Sequence, residues 1–196
     1  SLAPRARPLI GRARARGRGR PQGGPHRAQA ARRGDLRQGQ AGQDDLKKNI
    51  EILNPENEGG RLTLIVRMGA EKIQSTFPNL LKEIDKLGLN ITWVCDPMHG
   101  NTSTSNSGYK TRATENILSE IKSFFDIHQS QGSIPGGVHL ELTGLNVTEC
   151  VGGPEDIKDE NLGDRYHTFC DPRLNVNQSL ELSFLLADLL SNGNTL

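Results

Sequence analysis

His99, Glu141 and Asp171 each stand at the end of a short apolar or β-favouring run, and together they offer one imidazole nitrogen and two carboxylates. That donor set suits a borderline divalent cation such as manganese, iron, cobalt or zinc. The run Ile91–Val94 breaks sharply into Cys95-Asp96-Pro97-Met98-His99-Gly100-Asn101-Thr102. Asp-Pro stops a strand, because proline removes a backbone donor and restricts the residue before it. Gly100 lets the chain approach a ligand with no Cβ in the way. Taken alone, a strand-end histidine is more often a hydrogen-bonded structural residue than a ligand. Two further strand ends favour the ligand reading: Gly136-Gly137-Val138-His139-Leu140-Glu141-Leu142 and Tyr166-His167-Thr168-Phe169-Cys170-Asp171-Pro172-Arg173. His139 and His167 read as neighbours of the ligands rather than ligands themselves.

The surrounding periodicity says what must hold these residues. Asp44–Leu53 places Leu46, Ile50 and Leu53 at helical spacing, and the turn formers of 54–60 lead into a strand at Leu62–Val66. Helices are expected over Thr76–Leu87, Thr114–His128 and Val176–Leu190, with strands at Ile91–Cys95, Val138–Leu142 and near Tyr166–Cys170. A long polar loop, Asn101–Arg112, follows the second strand, and a helical turn is expected at Pro154–Glu160. Strands alternating with helices at this spacing imply an α/β fold of parallel βαβ units. Four units would make half of a (β/α)8 TIM barrel, whose chemistry sits at the carboxyl ends of its strands. Arg67, His99, Glu141 and Asp171 all fall there.

The net charge of +1 conceals a split. Residues 1–43 hold eleven arginines against one acid, a charge of +10; residues 44–196 hold thirteen basic side chains against twenty-two acids, a charge of −9. The first segment is mostly Arg, Gly, Ala, Pro and Gln, too poor in large apolar residues to offset the entropy of ordering, and reads as disordered. Three origins are open for it: an arginine-rich RNA-binding arm, a targeting peptide, and GC-rich codons translated in a wrong frame. The last is favoured, since lysine first occurs at Lys47. Cys95, Cys150 and Cys170 are odd in number and widely spaced, which argues against a disulfide framework and for a reducing compartment. Cys95 and Cys170 read as small buried hydrophobes. No apolar run approaches a membrane span, so no membrane partner is expected.

Five motifs also carry a family resemblance: Arg67-Met68-Gly69, Asp96–Thr102, Pro135–Gly144, Asn146–Cys150 and Arg165–Asn175. In this order they resemble the plant-type (class II) 3-deoxy-D-arabino-heptulosonate 7-phosphate (DAHP) synthases, from about Asn49 to Leu190. The resemblance implies a transferase that condenses phosphoenolpyruvate with erythrose 4-phosphate and releases phosphate, the first step of the shikimate route to aromatic amino acids. It implies His99 as a catalytic residue and, with Glu141 and Asp171, as a metal ligand, manganese being expected first and cobalt, iron or zinc next. Arg67 matches the family's phosphoenolpyruvate-binding arginine; Lys110, Arg112 and Arg173 are candidate contacts to substrate. A homo-oligomer is implied for the full-length enzyme, and a cytoplasmic location, or a plastid in a plant or alga.

The match is to the carboxyl-terminal portion of those enzymes. Where they carry a phosphate-binding lysine one βα unit upstream, this chain has Gly34–Gln40 without lysine, and no cysteine precedes Cys95 to serve as their further metal ligand. The 196-residue chain by itself is therefore expected to be inactive. Two rival classes remain: a non-catalytic metal- or phosphate-binding paralogue, in which decayed ligand positions would be expected, and an RNA-binding protein acting through residues 1–43. Retention of all three ligand types weighs against the first, and nucleic acid is not an expected partner.

Overall fold

The computed structural model of the chain describes residues 40–193. The expected disorder of the arginine-rich segment falls on residues 1–39, outside the described part; its last four residues already belong to α1 (Gln40–Leu53). After α1 come β1 (Thr63–Val66), α2 (Ile73–Lys86), β2 (Thr92–Cys95), β3 (Thr102–Thr104), β4 (Lys110–Arg112), α3 (Thr114–Ser130), β5 (Gly137–Val138) and α4 (Val176–Gly193).

β1, β2 and β5 form one parallel sheet in the order β1-β2-β5, with Val66 opposite Cys95 and Cys95 opposite Val138. Parallel pairing needs long crossovers, and α2 and α3 supply them. α2 buries Ile73, Phe77, Leu81 and Ile84 on one face, and α3 buries Ile117, Ile121, Phe124 and His128 on another. Steps of three and four residues keep each set on a single stripe. Phe77 joins the layers: its ring stacks on Phe124 at 5.4 Å and meets Trp93 of β2 edge-on at 5.4 Å. Burying one such ring stabilises by roughly 1.5–3 kcal/mol, and this cluster pins both helices to the sheet above which the site is built.

Three expectations change. The polar stretch after β2 is not an open loop but contains the antiparallel hairpin β3–β4, pairing Thr102 with Arg112 and Thr104 with Lys110. Its strands are threonine-rich and polar, so no apolar alternation advertised them. The strand expected over Val138–Leu142 is only β5 plus an isolated parallel bridge between Leu142 and Leu174.

The strand expected near Tyr166–Cys170 does not form. Backbone donors there go to side chains instead: His167 N–H to Glu149 Oε1, Cys170 N–H to Thr168 Oγ1 and Arg173 N–H to Glu149 Oε2. Pairing resumes at Leu174, whose N–H donates to Glu141 O and whose carbonyl accepts from Thr143 N–H. The helical turn expected at Pro154–Glu160 is displaced to a 3-10 segment, Asp159–Arg165.

Candidate functional site

The site begins with a turn. At the end of β2, Asp96 Oδ1 accepts the N–H groups of Met98 (3.0 Å) and His99 (3.2 Å), folding Asp-Pro-Met-His back on itself. Such a side-chain turn is what Asp before proline favours. The other oxygen, Oδ2, lies 2.7 Å from His99 Nδ1. A carboxylate at Nδ1 favours the tautomer with the proton there and leaves Nε2 as the free donor atom. Nε2 stands 3.4 Å from Glu141 Oε1 and 3.7 Å from Asp171 Oδ2.

His99, Glu141 and Asp171 therefore converge, with one ligand atom from each lying within 4.8 Å of the others. All three are half-buried. They reach this point from β2, from the stretch after β5 and from the loop before Leu174. One imidazole and two carboxylates, with the ring already oriented, fit a divalent cation by chemistry and by spacing.

Cations hold the two carboxylates. Arg112 is fully buried; its Nη1 donates to Glu141 Oε2 (2.5 Å) and to Pro172 O, and its Nε donates to Thr102 Oγ1 (3.0 Å). Its remaining nitrogen, Nη2, makes no hydrogen bond and lies 3.9 Å from Asp171 Oδ1. Lys110 Nζ donates to Asp171 Oδ1, and this hydrogen bond holds the Asp171 carboxyl below the usual carboxylate range. The Tyr166 hydroxyl donates to Lys110 O at 2.7 Å, tying the hairpin to the loop that carries Asp171.

The remaining expected residues take different places. Arg67, half exposed, follows β1 with its Nε 3.9 Å from Asp96 Oδ2, on the His99 side of the site. Arg173 does not stand free: its backbone N–H, Nε and Nη2 all donate to Glu149 at 2.6–2.9 Å. Burial alone would push the Glu149 carboxyl up, but the Arg173 fork outweighs it and holds Glu149 below its ordinary range. His139 is exposed, its ring near-parallel to His99 with centroids 6.5 Å apart. Cys95 is buried as expected; Cys170 is exposed, its Sγ 3.6 Å from Asp171 Oδ2. Gly100 serves a neighbour rather than a ligand: a Cβ there would lie 2.5 Å from Gly69 N.

Sequence reasoning missed three acids. Asp96 was legible as a strand stop but also orients His99. Glu149 anchors both ends of the loop bearing Asp171. Glu120 on α3 is fully buried, and its Oε1 accepts the N–H groups of Met68 (3.0 Å) and Gly69 (2.9 Å). Burial raises its pKa, against the pull of those donors. One signal was available: Glu120 lies on the same helical stripe as Ile117, Ile121 and Phe124, where an acid must have buried partners.

Parallel strands alternating with helices, with a His/Glu/Asp cluster gathered beyond β2 and β5, define an α/β protein with a candidate metal site. The chain belongs to the class-II DAHP synthetase family, which matches residues 38–187. It is 52% identical over 141 residues to the phospho-2-dehydro-3-deoxyheptonate aldolase AroG of Mycolicibacterium smegmatis, covering 72% of this chain and 30% of that protein. It is 54% identical over 146 residues to the phospho-2-dehydro-3-deoxyheptonate aldolase of Streptomyces coelicolor, covering 74% and 32%. The matched part thus spans about a third of the length of these relatives.

Proposed function

We propose that residues 40–193 are the carboxyl-terminal half of a (β/α)8 barrel and carry the metal ligands of a DAHP synthase. The observation that carries this reading is the convergence of His99 Nε2, Glu141 and Asp171, with Arg67 beside them. In the reaction, C3 of phosphoenolpyruvate bonds to the aldehyde carbon of erythrose 4-phosphate. Water adds at the phosphate-bearing carbon, and the C–O bond to phosphate breaks to release inorganic phosphate. A divalent cation held by His99, Glu141 and Asp171, manganese first among the candidates, would polarise the aldehyde carbonyl.

The chain's own residues do the rest. Asp96 fixes the His99 tautomer so that Nε2 presents its lone pair to the site. Arg112, buried behind Glu141, supports the ligands from beneath, and Lys110 does the same for Asp171 from the exposed side. Lys110 can exchange that carboxylate for a sugar phosphate when substrate arrives. Arg67 offers a planar fork to the phosphate of phosphoenolpyruvate, a bidentate contact lysine cannot copy. Arg173, bound to Glu149, steadies the Asp171 loop. The same reading carries a homo-oligomer in the full-length enzyme, and a cytoplasmic or plastidial location.

The test is a graft: residues 40–193 replace the matching segment of the Streptomyces coelicolor relative, and phosphate release is followed with both substrates and added manganese. Metal-dependent release requiring both substrates is expected, abolished by His99→Ala. A folded graft without release would refute the reading.

A further inference from the structure

Arg67 and His99 sit on different loops, and something must fix one against the other. The two loops touch directly: a Cβ at Gly69 would lie 2.8 Å from Gly100 O, and Gly69 has a φ of +85°, a conformation that favours glycine. Above that contact lies the buried carboxylate of Glu120. Its Oε1 takes the N–H groups of Met68 and Gly69 from the loop after β1. Its Oε2 takes Asn101 Nδ2 (2.7 Å) from the loop after β2. Asn101 completes the link: its Oδ1 accepts Ala70 N–H (3.0 Å) and its Nδ2 also donates to Pro97 O (2.8 Å).

Glu120 is thus a fully buried acid whose hydrogen bonds all come from neutral donors in the two loops. Burying a carboxylate with no cation bonded to it is costly. Its donors flank Arg67 on one side and His99 on the other, within two residues of each.

We propose that Glu120 is a positioning residue: with Asn101 it clamps the phosphate-binding Arg67 in fixed register with the metal-binding His99. The proposal rests on the functional reading above for the roles of those two residues. Glu120→Gln keeps an oxygen for the two backbone N–H groups but turns an NH2 toward Asn101 Nδ2, so the clamp opens. Adding Asn101→Asp restores the contact with residue 120 and keeps an acceptor for Ala70, at the loss of the hydrogen bond to Pro97 O, so the rescue is partial.

The experiment uses the graft described above, whose host supplies the upstream phosphate contacts, and three readouts: manganese affinity from the free-ion electron paramagnetic resonance signal, phosphoenolpyruvate affinity by calorimetry, and amide hydrogen exchange. In Glu120→Gln, phosphoenolpyruvate affinity falls about tenfold while manganese affinity stays within about twofold, since no ligand is altered. Exchange at Ala70 quickens. The double variant recovers part of both. Equal affinities in Glu120→Gln and wild type overturn the proposal, as does a parallel fall of both affinities with melting temperature or a double variant that recovers nothing. Absence of phosphoenolpyruvate binding by the unsubstituted graft would count against the functional reading instead; the clamp would then fall if Ala70 exchange were unchanged in Glu120→Gln.

Discussion

Asp96 uses one oxygen to build the turn that carries His99 and the other to orient its ring. The same oxygen faces Arg67 at 3.9 Å, so a single acid sets the chemistry of two neighbours. This makes the arginine's geometry matter as much as its charge. In the graft, Arg67→Lys is expected to raise the KM for phosphoenolpyruvate about tenfold or more while that for erythrose 4-phosphate holds, because a point charge cannot make two parallel donations. Unchanged kinetics toward phosphoenolpyruvate would remove Arg67 from the site. The His99, Glu141 and Asp171 cluster was legible because each member closes an apolar or β-favouring run beside turn formers, even though no strand forms before Asp171. The acids that support it were not. Nothing in a linear sequence pairs Glu149 with Arg173 or Glu120 with the amides of Met68 and Gly69, since those contacts join residues 24, 52 and 51 positions apart.

At the scale of elements, α2 and α3 were readable from their apolar stripes to within a few residues. β1 and β2 were readable as apolar runs. The failures share a cause: where backbone groups are satisfied by side chains or by polar strands, hydrophobic period carries no signal. The loop at 166–173 and the β3–β4 hairpin are both of this kind. The stripe of α3 also holds His128, buried against Phe77 and Phe124, with Nδ1 2.7 Å from Ser133 Oγ and Nε2 without a partner. Burial lowers its pKa from 6.5 to about 4. The sign follows. Above pH 6.5 neither state is protonated and stability is intact; below it the unfolded chain binds a proton that the fold excludes. Stability therefore falls as pH drops toward about 4, by up to about 3 kcal/mol. Melting at about pH 8 and about pH 5 should show this loss, and His128→Leu should shrink it. An equal loss in the variant would exclude His128 as its source.

Over the whole molecule, the apolar side chains left exposed include Ile65 of β1, Leu142 after β5 and Phe184 of α4. An open three-stranded sheet exposing such residues accords with half of a barrel, and the matched segment spans about a third of its relatives. The three candidate ligands all lie between residues 99 and 171. Metal binding at His99, Glu141 and Asp171 is the central claim of the proposed function, and manganese titration of residues 1–196, read by the free-ion paramagnetic resonance signal, tests it most directly. One manganese ion should bind per chain, and binding should be lost in His99→Ala while its circular dichroism is unchanged. Equal binding by His99→Ala, or none by the folded wild-type chain, would contradict it.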